Sequence, residues 1–427
     1  MQCNDLRNEY DVVIVGGGMV GATLACALAN KPATAELSVL IVDTQAMPAA
    51  GVVSNHMSFD SRSTALSAVS REILERVGLW EQVEDSACPI QKIHVSDQGR
   101  FGNTKIDHED FSVPALGYVL ENAAFGSALA TKLRELPRCD FFAPARVVDA
   151  TPIEEGMRIE IEQRAADSSG DVSATPQSVS LTTSLLVVAE GGRSPLCDQL
   201  GIARSKEDYG QHALIANVAL SQPHEGVAYE RFTSTGPLAL LPLFPVDGEQ
   251  RASLVWTLDA NEVESYTNLD EGSLLERLQA QFGWRLGRLK RIGARAVYPL
   301  SLRVAQEQIR PNLLLLGNVA HTIHPVAGQG LNLSLRDIEA LVDTLCDAMT
   351  NAGEGKNKVI GSMQTLSRYL QVREDDQSLT IGATDALTKL FSSNAQAKVW
   401  LRKAGLLSID LIPALKRNFA ARAMGFD

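Results

Sequence analysis

The chain has 427 residues, of which 45% are hydrophobic, and it carries a formal net charge of −12. This length predicts two or three domains with a large apolar core, and the acidic charge argues against nucleic acid as a partner. The six cysteines are scattered without a C-x-x-C pair, which fits a reducing compartment and a protein without structural zinc.

The N-terminal residues are polar and acidic, so they do not read as a signal peptide. No uninterrupted apolar run reaches the roughly 18 residues that a membrane-spanning helix needs. We therefore expect a cytoplasmic protein.

A glycine-rich turn near the N-terminus is the first informative motif. Residues 12–15 form a short apolar, β-branched run that predicts a buried parallel strand. Gly16, Gly18 and Gly21 follow with G-x-G-x-x-G spacing, and residues 22–30 have helical character. Gly16 permits the tight turn, Gly18 lets the backbone approach a pyrophosphate, and Gly21 lets helix and strand pack closely. The N-terminus of such a helix attracts phosphates.

A second apolar run, residues 37–42, ends in Asp43, which lies 22 residues after Gly21. An acidic residue at this distance accepts hydrogen bonds from the ribose hydroxyls of an adenosine. The pattern predicts a βαβ unit that binds a dinucleotide. A glycine-rich turn without a ligand is the alternative.

The next part of the chain alternates between predicted helices and strands. We expect a helix over 59–77, strands within 90–102 and 117–119, a helix over 122–136, and a pair of strands at 146–161 and 179–188 that flank a surface loop at 164–178. Arg62 could make charge-assisted hydrogen bonds to a flavin or its pyrophosphate. From spacing alone, an ordinary solvated arginine is the favoured interpretation.

The middle of the chain is rich in predicted strands, and its end is helical. Residues 212–259 predict an antiparallel sheet whose clearest hairpin turns at 246–248. A helix at 271–282, a buried strand at 313–316, a long helix at 331–349, a linker at 351–358 and further helices follow. The pattern predicts an α/β protein, α+β overall, in which a β-rich domain is inserted into a Rossmann-like domain.

A second glycine turn lies between the strand at 313–316 and the long helix. Gly328 and Gly330 create another helix N-terminus with close backbone access. Two such turns at opposite ends of the chain indicate one extended cofactor held from two sides, as FAD is. The sequence offers no further fingerprint for a nicotinamide nucleotide, so NAD(P)H would bind only transiently. His321 and His324 invite a metal interpretation, but Pro325 and the glycines make this a loop without further ligands. We therefore expect no metal site.

Four stretches together carry a family resemblance: VGGGMVGA at 15–22, SRSTALS at 61–67, VVAEGGRS at 187–194 and GNVAHTIHPVAGQGLNL at 317–333. With them the chain resembles the FAD-dependent aromatic hydroxylases, and within these the ubiquinone-biosynthesis branch. HVSDQGRFG at 94–102 and ERFTSTGPLALLPL at 230–243 are similar to the 2-polyprenyl-6-methoxyphenol hydroxylases.

This resemblance implies a p-hydroxybenzoate-hydroxylase-like fold. Its expected parts are an FAD-binding domain at 9–80, 118–205 and 299–350, a mostly antiparallel substrate domain at 81–117 and 206–298, and a C-terminal helical region at 351–427. It also implies an FAD site made of Gly16, Gly18, Gly21, Asp43, Arg62, Glu121, Glu190, Gly191, Gly317, Asn318, Pro325, Gly328, Gln329 and Gly330. Arg62 thereby changes from a solvated arginine to a flavin neighbour.

Three of these positions depart from the family pattern or match it loosely. Glu190 and Asn318 stand where most relatives have aspartate, so Glu190 keeps the carboxylate on a longer side chain and Asn318 lacks the charge. Glu121 lies where the family has a flavin-proximal residue at a helix start.

The resemblance implies that NAD(P)H reduces FAD, that O₂ then forms a flavin C4a-hydroperoxide, and that a polyprenylated phenol attacks it. His324 is a candidate base by its place in the cofactor loop, with a structural histidine as the alternative. A sister hydroxylase acting at another ring carbon and a non-catalytic flavoprotein subunit of the biosynthetic assembly are the alternative functions. The basic and apolar segment 396–427 predicts contact with the inner membrane face or a partner protein, with packing on the flavin domain as the alternative.

Overall fold

The computed structural model describes residues 3–47, 62–98, 103–163, 177–325, 328–352, 356–391 and 424–425. In chain order its strands are β1 (Glu9–Val15), β2 (Val39–Val42), β3 (Ser63–Ser67), β4 (Ala87–Ile90), β5 (Lys92–Asp97), β6 (Asn103–Asp107), β7 (Gly117–Glu121), β8 (Cys139–Phe142), β9 (Ala145–Ile153), β10 (Gly156–Gln163), β11 (Gln177–Val188), β12 (Arg204–Leu220), β13 (Val227–Phe232), β14 (Pro237–Val246), β15 (Glu249–Asp259), β16 (Leu289–Ile292), β17 (Ala296–Ala305), β18 (Ile309–Arg310), β19 (Leu313–Leu315) and β20 (His321–Thr322).

The helices over the same parts of the chain are α1 (Met19–Asn30), α2 (Ala68–Arg76), α3 (Asn122–Glu135), α4 (Pro195–Gln199), α5 (Val263–Thr267), α6 (Glu271–Phe282), α7 (Gln329–Asn351) and α8 (Met363–Phe391). None of the helices within the described ranges is long and apolar enough to cross a membrane.

The first sheet takes its strands from three separate stretches of the chain, in the order β18-β19-β11-β1-β2-β8, with β10 and β9 following β11 on a side branch. The strands β19, β11, β1, β2 and β8 run parallel. One face packs against α1, α3 and α7, and the other packs against the β9–β10 hairpin. The carboxyl ends of β1, β2, β11 and β19 therefore meet at one edge, where open α/β sheets bind ligands.

The second sheet has nine strands in the order β20-β17-β12-β15-β14-β13-β5-β6, with β16 beside β12. It is antiparallel except for the pair β13–β5. The helix α6 packs on one face through Leu274, Leu278 and Phe282. Asp270 caps this helix, because its Oδ1 accepts a hydrogen bond from the Ser273 amide at 3.0 Å. A small third sheet, β3-β7-β4, completes the fold.

Most predicted elements are confirmed, including the βαβ unit, the helix at 122–136, the hairpin around 246–248 and the helix at 271–282. The helix predicted over 59–77 is wrong in its first half. Residues 63–67 form β3, because they pair with β7 from Ser63–Glu121 to Ser67–Gly117. The helix α2 begins only after Ser67, whose hydroxyl accepts from the Ser70 amide at 3.1 Å. Residues 59–61 lie outside the described ranges.

The strand expected within 90–102 is present as β5, with Ile90 at the end of β4 and residues 99–102 outside the described ranges. Two further predictions need correction. The stretch 146–161 is a hairpin, β9 and β10, rather than one strand. The linker at 351–358 gives way to a short 3₁₀ helix at Lys356–Gly361. The loop at 164–178 lies outside the described residues up to 176, as does the segment 396–427 apart from 424–425.

Candidate functional site

A cavity of about 1490 Å³ lies at the carboxyl edge of the first sheet. Its lining comes from the ends of β1, β2 and β11, from β3, from the first turns of α1 and α7, and from the second sheet. A pocket for one small ligand has roughly 300–1,000 Å³. The cavity therefore has room for a dinucleotide together with a second molecule.

The structure brings most of the predicted cofactor residues to the walls of this cavity, namely Gly16, Gly18, Asp43, Arg62, Glu190, Gly191, Asn318, Pro325, Gly328, Gln329 and Gly330. Gly21 and Gly317 stand behind the wall. Gly317 has a φ of +74°, and a Cβ there would lie 3.1 Å from the side chain of Val20 in α1.

The turn after β1 shows why glycine is needed there. Gly16 has a φ of +105°, and a Cβ on it would lie 2.7 Å from the carbonyl oxygen of Ala189. A Cβ on Gly21 would lie only 1.9 Å from the carbonyl oxygen of Gly16. The close packing of α1 on β1 that the glycine spacing predicts is therefore present. Gly18 is the N-cap of α1 and makes no side-chain cap hydrogen bond.

Asp43 follows β2 and helps to shape the same turn. Its Oδ2 accepts a hydrogen bond from the Gly17 amide at 2.6 Å, and its Oδ1 accepts from the Gln45 amide at 2.8 Å. Each carboxylate oxygen can accept more than one hydrogen bond. The carboxylate is thus oriented by the backbone and lies at the cavity wall, where it can also accept from ribose hydroxyls.

Glu190 follows β11 and is bonded within its own loop. Its Oε1 accepts a hydrogen bond from the hydroxyl of Ser194, and Ser194 in turn accepts from the Cys197 amide at the start of α4. Burial raises the pKa of Glu190 despite this hydrogen bond. The next residue, Gly191, has a φ of +86°, a conformation that favours glycine.

A second helix N-terminus enters the cavity at α7. Gly328 is its N-cap, with a φ of +63° and no side-chain cap hydrogen bond. A Cβ on Gly330 would meet no atom within 4 Å, so the backbone here borders open space. Two helix N-termini without side-chain caps, α1 and α7, thus face one cavity. This arrangement fits an extended, negatively charged cofactor such as FAD.

Asn332 positions this second turn, and the sequence analysis gave it no role. Its amide nitrogen donates to the carbonyl oxygens of Gly328 at 2.8 Å and Ala65 at 2.9 Å, and its Oδ1 accepts from the Ser67 amide at 2.8 Å. The N-terminal turn of α7 is therefore fastened to β3. The only signal in the sequence is its place four residues after Gly328.

Arg62 and Glu121 flank the third sheet and have different surroundings. Arg62 lines the cavity, and its guanidinium lies 4.6 Å from the ring centre of Tyr298. The Glu121 carboxylate instead pairs with Arg251 at 3.1 Å and accepts from the Asn217 amide group at 3.2 Å. The structure thus brings Arg62 to the shared cavity and ties Glu121 to the second sheet.

The two histidines of the cofactor loop also differ. His324 lines the cavity and is buried, which lowers its pKa to about 4, so its imidazole is neutral at physiological pH. His321 Nε2 instead lies 2.9 Å from the carboxylate of Asp337, which is fully buried. Asp337 also accepts from Arg373 at 2.6 Å and from Gln377 at 3.0 Å. These four residues, the Asp337 network, tie the cofactor loop to α7 and α8.

The second sheet gives the cavity a largely apolar wall. Its contributors are Ile93, Val95, Ile106, Ile215, Ala228, Phe232, Ala239, Leu241 and Val255, with Thr104, Thr257, Tyr229 and Glu230 as the polar members. Such a wall suits an apolar aromatic molecule beside the polar cofactor half.

Comparison with known proteins agrees with this geometry. Residues 9–365 match a protein-family model described as an FAD binding domain. Ubiquinone hydroxylase UbiL of Rhodospirillum rubrum is 33% identical over 97% of this chain and 89% of its own length. The 3-demethoxyubiquinol 3-hydroxylase of Escherichia coli is 29% identical over 97% and 98%.

A solved structure shows the same fold. The p-nitrophenol 4-monooxygenase PnpA of Pseudomonas putida superposes with a TM-score of 0.74 at 18% identity, over 98% of this chain and 99% of its own. The predicted fold class, a Rossmann-like FAD-binding domain with an inserted β-sheet domain, is confirmed. The chain therefore belongs to the FAD-dependent aromatic hydroxylases, in the family that includes ubiquinone hydroxylase.

Proposed function

We propose that this hydroxylase adds oxygen to the aromatic ring of a polyprenylated phenol, 2-polyprenyl-6-methoxyphenol, in ubiquinone biosynthesis. The observation that carries the proposal is the single cavity in which the two helix N-termini and the apolar wall of the second sheet meet. A phenol ring with a long apolar tail fits such a wall, while the flavin occupies the polar half. The full-length similarity to two ubiquinone-pathway hydroxylases supports it.

In this proposal the eleven predicted positions that line the cavity hold FAD, and Gly21 and Gly317 shape the turns behind them. Glu121, which pairs with Arg251, is not part of this contact. The N-terminal turns of α1 and α7 bind its phosphates through backbone N–H groups, and Asp43 accepts from the ribose. Arg62 contributes positive charge beside the ring system, and Gly330 leaves room for it. Gly18→Val would place a branched side chain at the cap of α1. The purified variant should lose its yellow colour, and normal flavin content would refute the placement.

Bound FAD, reduced by a transiently bound NAD(P)H, supplies the activated oxygen. The chain itself binds the phenol, excludes water and orients the ring. The apolar residues of β5, β6, β14 and β15 on the cavity wall keep water away, which protects a reactive oxygen species from hydrolysis. The domain boundaries follow the same division, with the flavin domain assembled from 9–80, 118–205 and 299–350 and the substrate domain from 81–117 and 206–298.

Two related functions differ in the carbon of the substrate ring that is hydroxylated. The E. coli relative is named for hydroxylation at carbon 3 of a demethoxyubiquinol, which favours a sister reaction as the second candidate. Purified enzyme with NADH or NADPH should therefore be given the methoxyphenol and the demethoxy substrate in parallel. Mass spectrometry of the products identifies the position. A yellow protein that oxidises NAD(P)H with neither substrate would refute both, and would favour a non-catalytic subunit.

The proposed substrate is lipid-soluble, so we include peripheral contact with the inner membrane face or with other ubiquinone-biosynthesis proteins. Trp284 is 70% exposed and the exposed cation Arg288 follows four residues later in the chain, a combination typical of membrane interfaces. Anionic liposomes should co-sediment the full chain and retain less of a Trp284→Ala variant. Equal sedimentation with neutral and anionic liposomes would refute an electrostatic contact.

A further inference from the structure

The strand β13 carries a carboxylate on the cavity side of the second sheet. Glu230 lines the cavity between Ala228 and Phe232, which also line it. Residues two apart on a strand share a face, so all three side chains point the same way. The register places Glu230 opposite Val95 on β5 and Ala239 on β14, both of which also line the cavity. An ionisable group therefore stands in an apolar wall.

Within the described residues, the surroundings of Glu230 show no charged partner for its carboxylate. No residue in the described parts of the chain hydrogen bonds to its carboxylate, and burial alone raises its pKa to about 7. Its titratable neighbours His94 and Arg231 alternate to the opposite face of the sheet. On the cavity face, β5, β14 and β15 contribute Val95, Ala239, Leu241 and Val255 close by, none of which titrates.

The other acidic groups of the cavity wall are already engaged. The carboxylate of Asp43 accepts from two backbone amides, and that of Glu190 accepts from Ser194. Glu162 pairs with Arg146 at 2.8 Å. Asp43 and Glu162 are therefore held as hydrogen-bond acceptors, and Glu190, although burial raises its pKa, is already bonded to Ser194 within its own loop.

The basic groups of the wall are no better suited to accept a proton. The guanidinium groups of Arg62 and Arg193 act only as hydrogen-bond donors and offer no lone pair to a proton. His324 is a weak base, because its pKa is about 4. A general base works best when its pKa is near the working pH. Among the cavity-lining groups that the structure describes, Glu230 fits this requirement.

We propose that Glu230 is the catalytic base that takes the phenolic proton of the substrate. This inference rests on the proposed function. The O–H bond of the phenol breaks, its proton moves to a carboxylate oxygen of Glu230, and the electron pair stays on the phenol oxygen. The phenolate then makes the ring carbon more nucleophilic toward the activated oxygen. The complete reaction consumes one O₂, one NAD(P)H and one proton, and yields the hydroxylated ring, water and NAD(P)⁺.

The test compares Glu230→Gln with wild type and with Glu160→Gln, a control at an exposed glutamate on β10. Glutamine has the same shape but cannot take the proton. We expect kcat/KM for hydroxylation at pH 7 to fall about 10²–10⁴-fold in Glu230→Gln, the typical contribution of a general base. Flavin content and the thermal midpoint should match wild type. The control should keep wild-type kinetics.

The pH profile separates a proton acceptor from a residue that only shapes the pocket. Wild-type kcat/KM should rise with pH and level off above about 7, whereas Glu230→Gln should lose this step. A substrate analogue with a nitro group on the ring has a more acidic phenol that ionises without help. Its electron-poor ring reacts more slowly in both enzymes, but the loss in Glu230→Gln relative to wild type should be much smaller than with the ordinary substrate. An equal loss with both substrates, or a variant as active as wild type, would overturn the assignment.

The wild-type profile decides the question even if the variant does not fold, because a flat profile between pH 5.5 and 8.5 would by itself overturn the role. The range covers about one and a half pH units on either side of a base that titrates near neutrality. Failure of the proposed function looks different: wild-type enzyme would then hydroxylate neither phenol at any pH.

Discussion

Gly21→Ala tests whether the packing of α1 on β1 sets the flavin site. The new Cβ would lie 1.9 Å from the Gly16 carbonyl oxygen and 3.0 Å from Ile14 Cγ2. Real Cβ contacts stay above 3.0 Å, so α1 must move by about 1 Å. Such overpacking costs about 1–3 kcal/mol, and the better helix propensity of alanine recovers about 0.5–1 kcal/mol. We expect a net loss of about 1–2 kcal/mol in the free energy of unfolding.

The same movement should weaken FAD binding, because the shifted turn carries the first N–H groups of α1. A loss of about 1.4 kcal/mol in binding free energy raises Kd about tenfold. Flavin fluorescence titration of the apoprotein measures this change. Urea denaturation of the apoprotein measures the loss of stability separately.

Gly382→Ala is the matched control. Gly382 also lies inside a helix, α8, but a Cβ there meets no atom within 4 Å. We expect it to gain about 0.5–1 kcal/mol in stability and to bind FAD as wild type does. If Gly21→Ala gained stability like the control and kept its flavin, the packing argument would be refuted.

Three further changes test other contacts. Asn332→Ala should raise the Kd for FAD and lower the thermal midpoint, because it leaves the Gly328 carbonyl and the β3 backbone without their hydrogen-bond partner. Each buried group left unpaired costs about 1–3 kcal/mol. An unchanged Kd in flavin titration would show that Asn332 does not position this turn for FAD. Asp337→Ala should cost about 3–5 kcal/mol of unfolding free energy in urea, because it breaks a buried ion pair and leaves Arg373 with Asp376 as its remaining carboxylate. Asp347→Ala at an exposed ion pair should cost less than about 1 kcal/mol. His324 has a folded pKa lowered from 6.5 to about 4, so its contribution to stability is present above pH 6.5 and is lost as the pH falls toward 4. The difference in urea midpoint between wild type and His324→Gln should therefore shrink or change sign between pH 7.5 and pH 4.5. A difference that stays constant over this range would contradict the pKa shift.

The sequence predicted the first glycine turn well because local rules govern it. A β-branched run followed by spaced glycines allows few structures, and Gly16, Gly21 and Asp43 take the geometry that the spacing implies. The helix N-terminus at the second glycine turn was predicted from local sequence for the same reason. The positive φ at Gly328 and the open space at Gly330 are backbone properties that glycine favours.

The residues that the sequence analysis missed act across long separations. Asn332 reaches Ala65 and Ser67, more than 260 residues earlier, and nothing local in the sequence indicates that contact. The sequence assigns Glu230 no role, because its burial depends on the neighbouring strands β5, β14 and β15. The strand β3 was mistaken for a helix for the same reason, since its pairing with β7 outweighs local propensity.

The discontinuous first sheet also has a consequence for synthesis. Its strands come from residues 9–42, 139–188 and 309–315, and the turn at Gly328 is fastened through Asn332 to β3. A ribosome adds roughly 5–20 residues per second, so tens of seconds separate the first glycine turn from the second. During that time β1 and β2 lack β11 and β19, and the nascent chain exposes strand edges that chaperones must shield. Because the cavity needs both glycine turns, we expect flavin to load only after the second turn has been synthesised, so a shortage of flavin should leave full-length apoprotein rather than stalled fragments.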